Sequence, residues 1–465
     1  MKRLAVIALS MLLATPALAD NQPDIYQPLE AKNGGLNMVL SGIHINFGGY
    51  LEGATIYRSR NENTDVSSTF NNVPLQTAAG YYQNETTFSA RQSRLSLLVQ
   101  GNVDPATHLA GYYEMDFQGV GGTSNSKETN SFAPRIRHLY ASADWDNLGL
   151  HILAGQTWTL ANLNNKGITQ RNEVTPLVID SQGNVGYTYA RQPQVRIVKD
   201  LFDKKLWLAA SAELADTTTS GTLPAGINNY DTNVTAPTSG NLAGDSYITT
   251  NDFPDFILKA AVEPGWGHFE VYDLIRTFES GAHSTTANGS PLVNTHTTTN
   301  AVGGGAILPL VPKYLALTLS GLAGQGVGRY GAAQLPDTTY NDQGGLTALR
   351  GFQYLIGLSF APTDAVDIYS YFGQEHVNGT LGYGGNQTGS SNANLSFLGT
   401  SYGGSVVRVT EITGGTWWKI YNGNYGKMQL GLQYSYLQDK YSKGIGGTPL
   451  ATDNMVFTSL RYYWQ

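Results

Sequence analysis

The feature that most constrains this chain is a strict alternation of apolar and polar residues, sustained over whole strand lengths and repeated along most of the sequence. A period of two is met only by an extended strand with one apolar and one polar face. In the first such stretch Ile43, Ile45, Phe47, Gly49, Leu51 and Tyr57 share one face, while His44, Asn46, Glu52 and Arg58 share the other. Near Thr87 to Val103 the apolar face is Leu95, Leu97, Val99 and Val103, and the polar face Arg94, Ser96 and Gln100. After a tight turn at Asp104 to Thr107 the chain returns over His108 to Gln118 with the same alternation. Strands of this length cross a bilayer when tilted.

The N-terminus reads as an export signal. Lys2 and Arg3 precede the apolar run Leu4 to Leu13, and Ala17-Leu18-Ala19 forms a small-residue cleavage site, which predicts a signal peptide over 1–19. The run is shorter than the roughly 20 residues a spanning helix needs. No later apolar run reaches that length either. Cleavage takes the 28 basic residues to 26 against 35 acidic, a net charge of −9 in place of −7, which argues against a nucleic-acid partner. With no cysteine and 54 glycines, the chain suits neither a disulfide framework nor a helical membrane protein. A chain that spans a membrane without helices must do so as a closed barrel, because in lipid every backbone N–H and C=O needs a partner.

The connections alternate between short and long. Short turns fall at Asp104 to Thr107, Asp146 to Gly149, Asp200 to Lys204, Glu263 to Trp266, Pro309 to Pro312, Ala361 to Asp364 and Asn422 to Tyr425. Seven such turns imply an all-β, antiparallel transmembrane barrel of about sixteen strands over 43–465, preceded by a polar leader over 20–42. The short turns read as periplasmic. Long segments rich in Gly, Ser, Thr and Asn, such as Asp216 to Asp252, Ser280 to Thr299, Val327 to Thr347 and Val377 to Tyr402, read as extracellular. The last strand alternates Val456, Leu460, Tyr462 and Trp464 with Phe457, Ser459, Arg461 and Tyr463, ending at Gln465. Aromatic pairs such as Trp417-Trp418 and Tyr462-Tyr463 suit interfacial girdles.

With these features the chain resembles a Gram-negative trimeric porin of the outer membrane. Arg191-Gln192-Pro193-Gln194-Val195-Arg196, Gly155-Gln156 and Leu460-Arg461-Tyr462-Tyr463 are most similar to the DcaP-like porins. That resemblance implies a homotrimer embedded in outer-membrane lipid and passage of small hydrophilic solutes or ions, anionic ones among them. DcaP-like proteins carry an N-terminal coiled coil, whereas Asp20 to Gly42 has no heptads.

In a porin the residues that matter project into the pore. The connection after the fifth strand is a candidate constriction loop over 161–187, with Lys166, Arg171, Glu173 and Asp180 as its charged residues. Candidate pore-lining residues are Arg94, Glu114, Asp116, Arg135, Arg137, Gln156, Arg196, Glu270 and Arg276, with Glu375 of like parity. Leu139, Ala141, Ala143 and Trp145 share parity with Arg135 and Arg137, so either a bulge intervenes or these arginines sit at the rim. Arginines on one wall facing Glu114, Asp116 and the loop's acids would set up a transverse field; alternatively the charges are ion pairs bracing the wall.

Other functions have weaker support. Gly399-Thr400-Ser401-Tyr402-Gly403 and Gly326-Val327-Gly328-Arg329-Tyr330-Gly331 match a nucleophile elbow and a dinucleotide fingerprint, but each lies at a strand-loop border rather than before a helix. The eight histidines show no zinc spacing, so no metal and no cofactor is expected. The reading is a non-enzymatic porin for passive diffusion; an outer-membrane barrel enzyme and an adhesion or structural barrel are the alternatives.

Overall fold

The computed structural model describes residues 36–64, 66–119, 133–220, 227–229, 252–284, 293–341, 345–378, 406–442 and 449–464. The signal peptide, most of the leader and most of 216–252 and 377–402 lie outside these residues.

Sixteen strands form the wall: β1 Ile43–Arg58, β2 Arg94–Asp104, β3 Thr107–Gly119, β4 Ala133–Trp145, β5 Leu150–Trp158, β6 Arg191–Leu201, β7 Leu206–Glu213 and β8 Asp255–Val262. They continue as β9 His268–Ser284, β10 Val293–Val311, β11 Leu315–Gln325, β12 Arg350–Thr363, β13 Val366–Asn378, β14 Val406–Gly423, β15 Gly426–Tyr441 and β16 Leu450–Tyr463. Each strand pairs antiparallel with the next, and β16 returns to β1 with Leu51 opposite Tyr462 and Arg58 opposite Met455. Inside this seam Glu52 pairs with Arg461 at 2.9 Å and accepts from Ser459 Oγ at 2.6 Å. All seven short turns join strands at one end.

The burial pattern is that of a soluble protein turned inside out. On β15 Leu430, Leu432 and Tyr434 are exposed while Gln433 and Ser435 are fully buried, and β8 exposes Phe256 and Leu258 while burying Asp255 and Lys259. Such an outward apolar band is stable only against hydrocarbon. Exposed Phe202, Trp266, Tyr314 and Tyr425 mark four of the short turns as an interfacial aromatic belt.

Several sequence expectations need correction. Leu36–Leu40, read as part of a polar leader, is a strand folded back on β1 through Ser41 (φ 50°) and Gly42 (φ 84°), the two left-handed residues of a tight hairpin. The second strand does not run unbroken from Thr87: Glu85–Ser89 and β2 both pair with β1, and residues 90–93 turn inward between them. Part of the loop placed at Ser280 to Thr299 is strand, because β9 and the threonine-rich start of β10 stay paired as far as Ala282 and Val293, and 285–292 lie outside the described residues. The doubled aromatics cannot both face lipid, since neighbours on a strand point to opposite faces. Trp418 is exposed whereas Trp417 is buried inside, and Tyr463 is buried while its neighbour Tyr462 is half-buried on the other face.

Leu432→Arg would place a charge on the apolar band and is expected to cost about 2 to 4 kcal/mol. Reversible urea unfolding in lipid vesicles measures this loss.

Candidate functional site in the barrel lumen

The lumen is bounded on one side by charged rows on β2, β3 and β4. Arg94 and Asp116 are direct cross-strand partners, and Arg94 also reaches Glu114 at 3.6 Å. Between β3 and β4 the register slips at Arg137, so that Glu114 faces His138 and Met115 faces Ile136. This bulge resolves the parity conflict on the fourth strand. Below it Tyr140 and Ser142 point inward and Leu139 outward; above it Arg137 and Arg135 point inward and Ile136 outward. Arg137 then pairs with Glu114 at 2.7 Å and Asp116 at 3.0 Å, and Arg135 grips Asp116 through Nε at 3.0 Å and Nη2 at 2.7 Å. Glu114 and Asp116 therefore do not stand across the pore from the arginines. They lie beneath them: the Asp116 side chain is 1% exposed, against 35% for Arg135 and 28% for Arg94.

The connection between β5 and β6, loop 3 (159–190), fills the middle of the barrel. Its first turns are fastened to the wall by Lys259, whose ammonium donates to Leu160 O, Asn162 O and Asn164 Oδ1 and pairs with Glu270 at 2.6 Å. Gly167 N donates to Glu263 at a short turn, so the loop descends to that end of the barrel. Lys166 there is exposed. The chain then rises past Arg171, which donates to Tyr140 Oη at 3.3 Å, and Glu173, which lies 3.9 Å from Arg196. On the far wall Val185 N donates to Glu411 at 2.9 Å and Gly186 N to Glu375 at 2.8 Å. The fit there is close: a Cβ on Gly373 would lie 1.6 Å from Val185 O. Burial pushes the carboxyls of Glu173 and Asp180 above the ordinary range, partly offset by Arg196 and Arg58 respectively.

Two further loops fold in, which the sequence did not suggest. Loop 1 (59–93) buries Val66, Phe70, Val73 and Leu75 in one cluster with Ile179, Val185 and Tyr371. Loop 6 (326–349), read from sequence as extracellular, adds Ala332, Ala333 and Leu335 to that cluster, and Ala333 N donates to Glu375 at 3.1 Å. The three loops touch one another: Ser67 Oγ lies 2.6 Å from Ser181 Oγ, Gln182 Nε2 donates to Ala332 O, and Asn71 Nδ2 donates to Gln334 O. Arg276 is spent on this scaffold, joining Asp255 at 3.1 Å to Asp337 of loop 6 at 2.8 Å. Glu270, Arg276 and Glu375 are thus loop anchors rather than open lining. Gln156 is no lining residue either: it stands opposite outward-facing Leu139 and donates to Ile136 O, because His151 and Leu153 set the inward parity of β5.

The side of loop 3 that faces β2 to β6 keeps partly exposed Arg94, Arg135, Arg171 and Arg191. Arg191 was missed in the sequence because it opens β6 at a loop border. Its guanidinium lies 4.6 Å from the Trp158 ring and 5.4 Å from Tyr189. Among the described residues no carboxylate lies within ion-pair distance of it, and Nη1 has no hydrogen-bond partner. Burial pushes the Tyr189 phenol up, but Arg191, Arg137, Arg135 and Arg94 outweigh it and hold the phenol below its ordinary range. The local potential is positive.

No protein-family model matches the sequence, and no curated protein matches it. Among solved structures, the outer membrane channel DcaP of Acinetobacter baumannii superposes with a TM-score of 0.64 at 18% identity, over 93% of this chain and 100% of that one. The two share one fold, a closed sixteen-stranded antiparallel barrel of the outer membrane. Two porins superpose less well: the anion-selective porin from Comamonas acidovorans (TM-score 0.47, 12% identity, 91% of this chain and 100% of that one) and Salmonella typhi OmpF (0.49, 8%, 92% and 100%).

In this barrel loop 1 is held by carboxylates. Arg58 meets Glu85 at 2.7 Å and Glu62 at 3.7 Å, while Asp439 accepts from Val73 N and Asp453 from Arg60 N. Burial, with Asp453 and Asp180 nearby and Arg58 opposing, pushes Glu62 up to about 8. Its contribution to holding the loop is full below its ordinary value and is lost as pH rises through about 8. Limited proteolysis within loop 1 should accelerate between about pH 6 and about pH 9, and Glu62→Gln should flatten that dependence. Gly373→Leu should dislodge loop 3 and raise single-channel conductance about twofold in planar bilayers.

Proposed function

We propose that this protein is an outer-membrane porin, exported by the signal peptide over 1–19 and assembled as a homotrimer, that passes small hydrophilic solutes by passive diffusion with a preference for anions. The observation that carries the anion preference is the layering of charge: guanidiniums of Arg94 and Arg135 reach the open side of the lumen while Glu114 and Asp116 lie buried behind them, and half-buried Arg191 stands beside them with Nη1 buried and unpartnered. A solute passing loop 3 meets the cations first. Three arginines, Arg94, Arg135 and Arg137, share two carboxylates, and Arg191 adds a charge without an acid. The aromatic faces of Trp158 and Tyr189 hold Arg191 extended without neutralising it. Candidate residues Arg196, Arg171 and Glu173 act as supports for loop 3 in this reading, while Lys166 lies where the loop nears Glu263 and Asp180 accepts from Ser68 N of loop 1.

A unit charge about 6 Å away across water favours an anion by about 0.7 kcal/mol and disfavours a cation by as much, roughly a tenfold bias between ions of opposite sign. Reconstituted protein in a KCl gradient is therefore expected to give conductance steps and a zero-current potential of the sign for anion selectivity. Arg191→Glu should lower the anion-over-cation permeability ratio about tenfold or more while the channel still conducts. A cation-selective wild type would sink the anion preference, and absence of conductance steps would sink the porin itself.

A further inference from the structure

We propose that Asp252, Glu279 and His296 form a binding site for a zinc-class divalent transition metal on the outer rim of the barrel, separate from the lumen. Glu279 on β9 and His296 on β10 are direct cross-strand partners, and Asp252 enters from the segment just before β8. One ligand atom from each lies within 4.8 Å of the other two. Around a tetrahedral ion at about 2.0 Å from each ligand, ligand atoms stand about 3.3 Å apart, so small side-chain rotations close the site.

The placement argues for an ion. On β9 the inward residues are Tyr272, Leu274, Arg276 and Phe278, so Glu279 faces outward, as His296 does with exposed Val302 on β10. The outward apolar residues of this hairpin end near Ile275 and Val302. Glu279 lies four residues beyond Ile275, about 13 Å along the strand, in the polar zone above the hydrocarbon. Two carboxylates and an imidazole held this close on an outward face offer a divalent cation three donors, and its two charges balance the two acids.

The donor set narrows the identity. One imidazole nitrogen with two carboxylate oxygens suits zinc and its neighbours rather than calcium or magnesium, which prefer oxygen alone. The Phe253 ring packs edge-on against His296 at 6.5 Å and keeps Asp252 close to the imidazole. Three protein ligands leave a fourth position open to water or to a phosphate oxygen. The three residues are scattered in sequence, and only the strand register assembles them.

The test is isothermal titration of zinc chloride into the full-length protein, purified in detergent and freed of metal with EDTA. One zinc per chain is expected. His296→Ala and Glu279→Gln should each lower the affinity about tenfold or more, whereas Asp273→Asn, on the same outward face, should not. Heat-modifiable gel mobility reports that each variant is folded. If His296→Ala does not fold, Glu279→Gln carries the test. The proposal is overturned if the wild type takes up no zinc, or if the folded variants bind it as tightly as the wild type. Neither result bears on conductance, so the transport reading stands or falls separately.

Discussion

In hydrocarbon no water is available to a backbone amide, so every N–H and C=O of the wall must find its partner in a neighbouring strand. The β1–β16 seam meets that demand by leaving the sheet no edge within the membrane. Once the sheet is closed, its outer face is committed to lipid, and the polar half of each strand has only the interior to occupy. The buried Glu52–Arg461 pair at the seam is the simplest consequence: a charge pair that would be costly in lipid braces the closure from inside.

An interior lined with charge can hold chain that a lipid-like core could not. Stretches of loops 1, 3 and 6 carry backbone groups outside any sheet, and acids on the wall accept from them: Glu375 from Gly186 and Ala333, Glu411 from Val185, Asp439 from Val73. Lys259 does the reverse, donating to loop carbonyls while paired to Glu270. Burying such groups is tolerable because each is paired, and removing one partner leaves the other exposed to the full desolvation cost. Most lumen charges are thus structural. The exceptions lie on β2 to β6, where the carboxylates are layered behind the arginines and the open surface is positive.

The architecture was legible because strand alternation and turn spacing are local properties. The short turns, the outward apolar faces and the inward parity of Arg94 and Arg196 follow from neighbours in sequence. Features set by single residues that break the alternation did not follow. Alternation left a bulge or a rim position open for Arg135 and Arg137, and only the β3–β4 register decides for the bulge, while the outward place of Gln156 shows only once β5 is laid beside Leu139 of β4. Loop 6 looked extracellular because an inward loop held by wall carboxylates has the same composition as a solvated one. Arg191 was overlooked at a loop border, and Asp252, Glu279 and His296 meet only through register.

The central claim is that the lumen is narrowed by loops meeting inside it, leaving the arginine side as the passage. The chain has no cysteine, so a single engineered pair reports loop contact without background. Ser67 and Ser181 place their hydroxyl oxygens 2.6 Å apart between loops 1 and 3. In outer membranes containing the Ser67→Cys/Ser181→Cys variant, mild oxidation should form an intramolecular disulfide in most molecules, seen as a mobility shift reversed by reductant, while the barrel stays folded. A folded barrel in which both thiols remain free after oxidation would contradict the account.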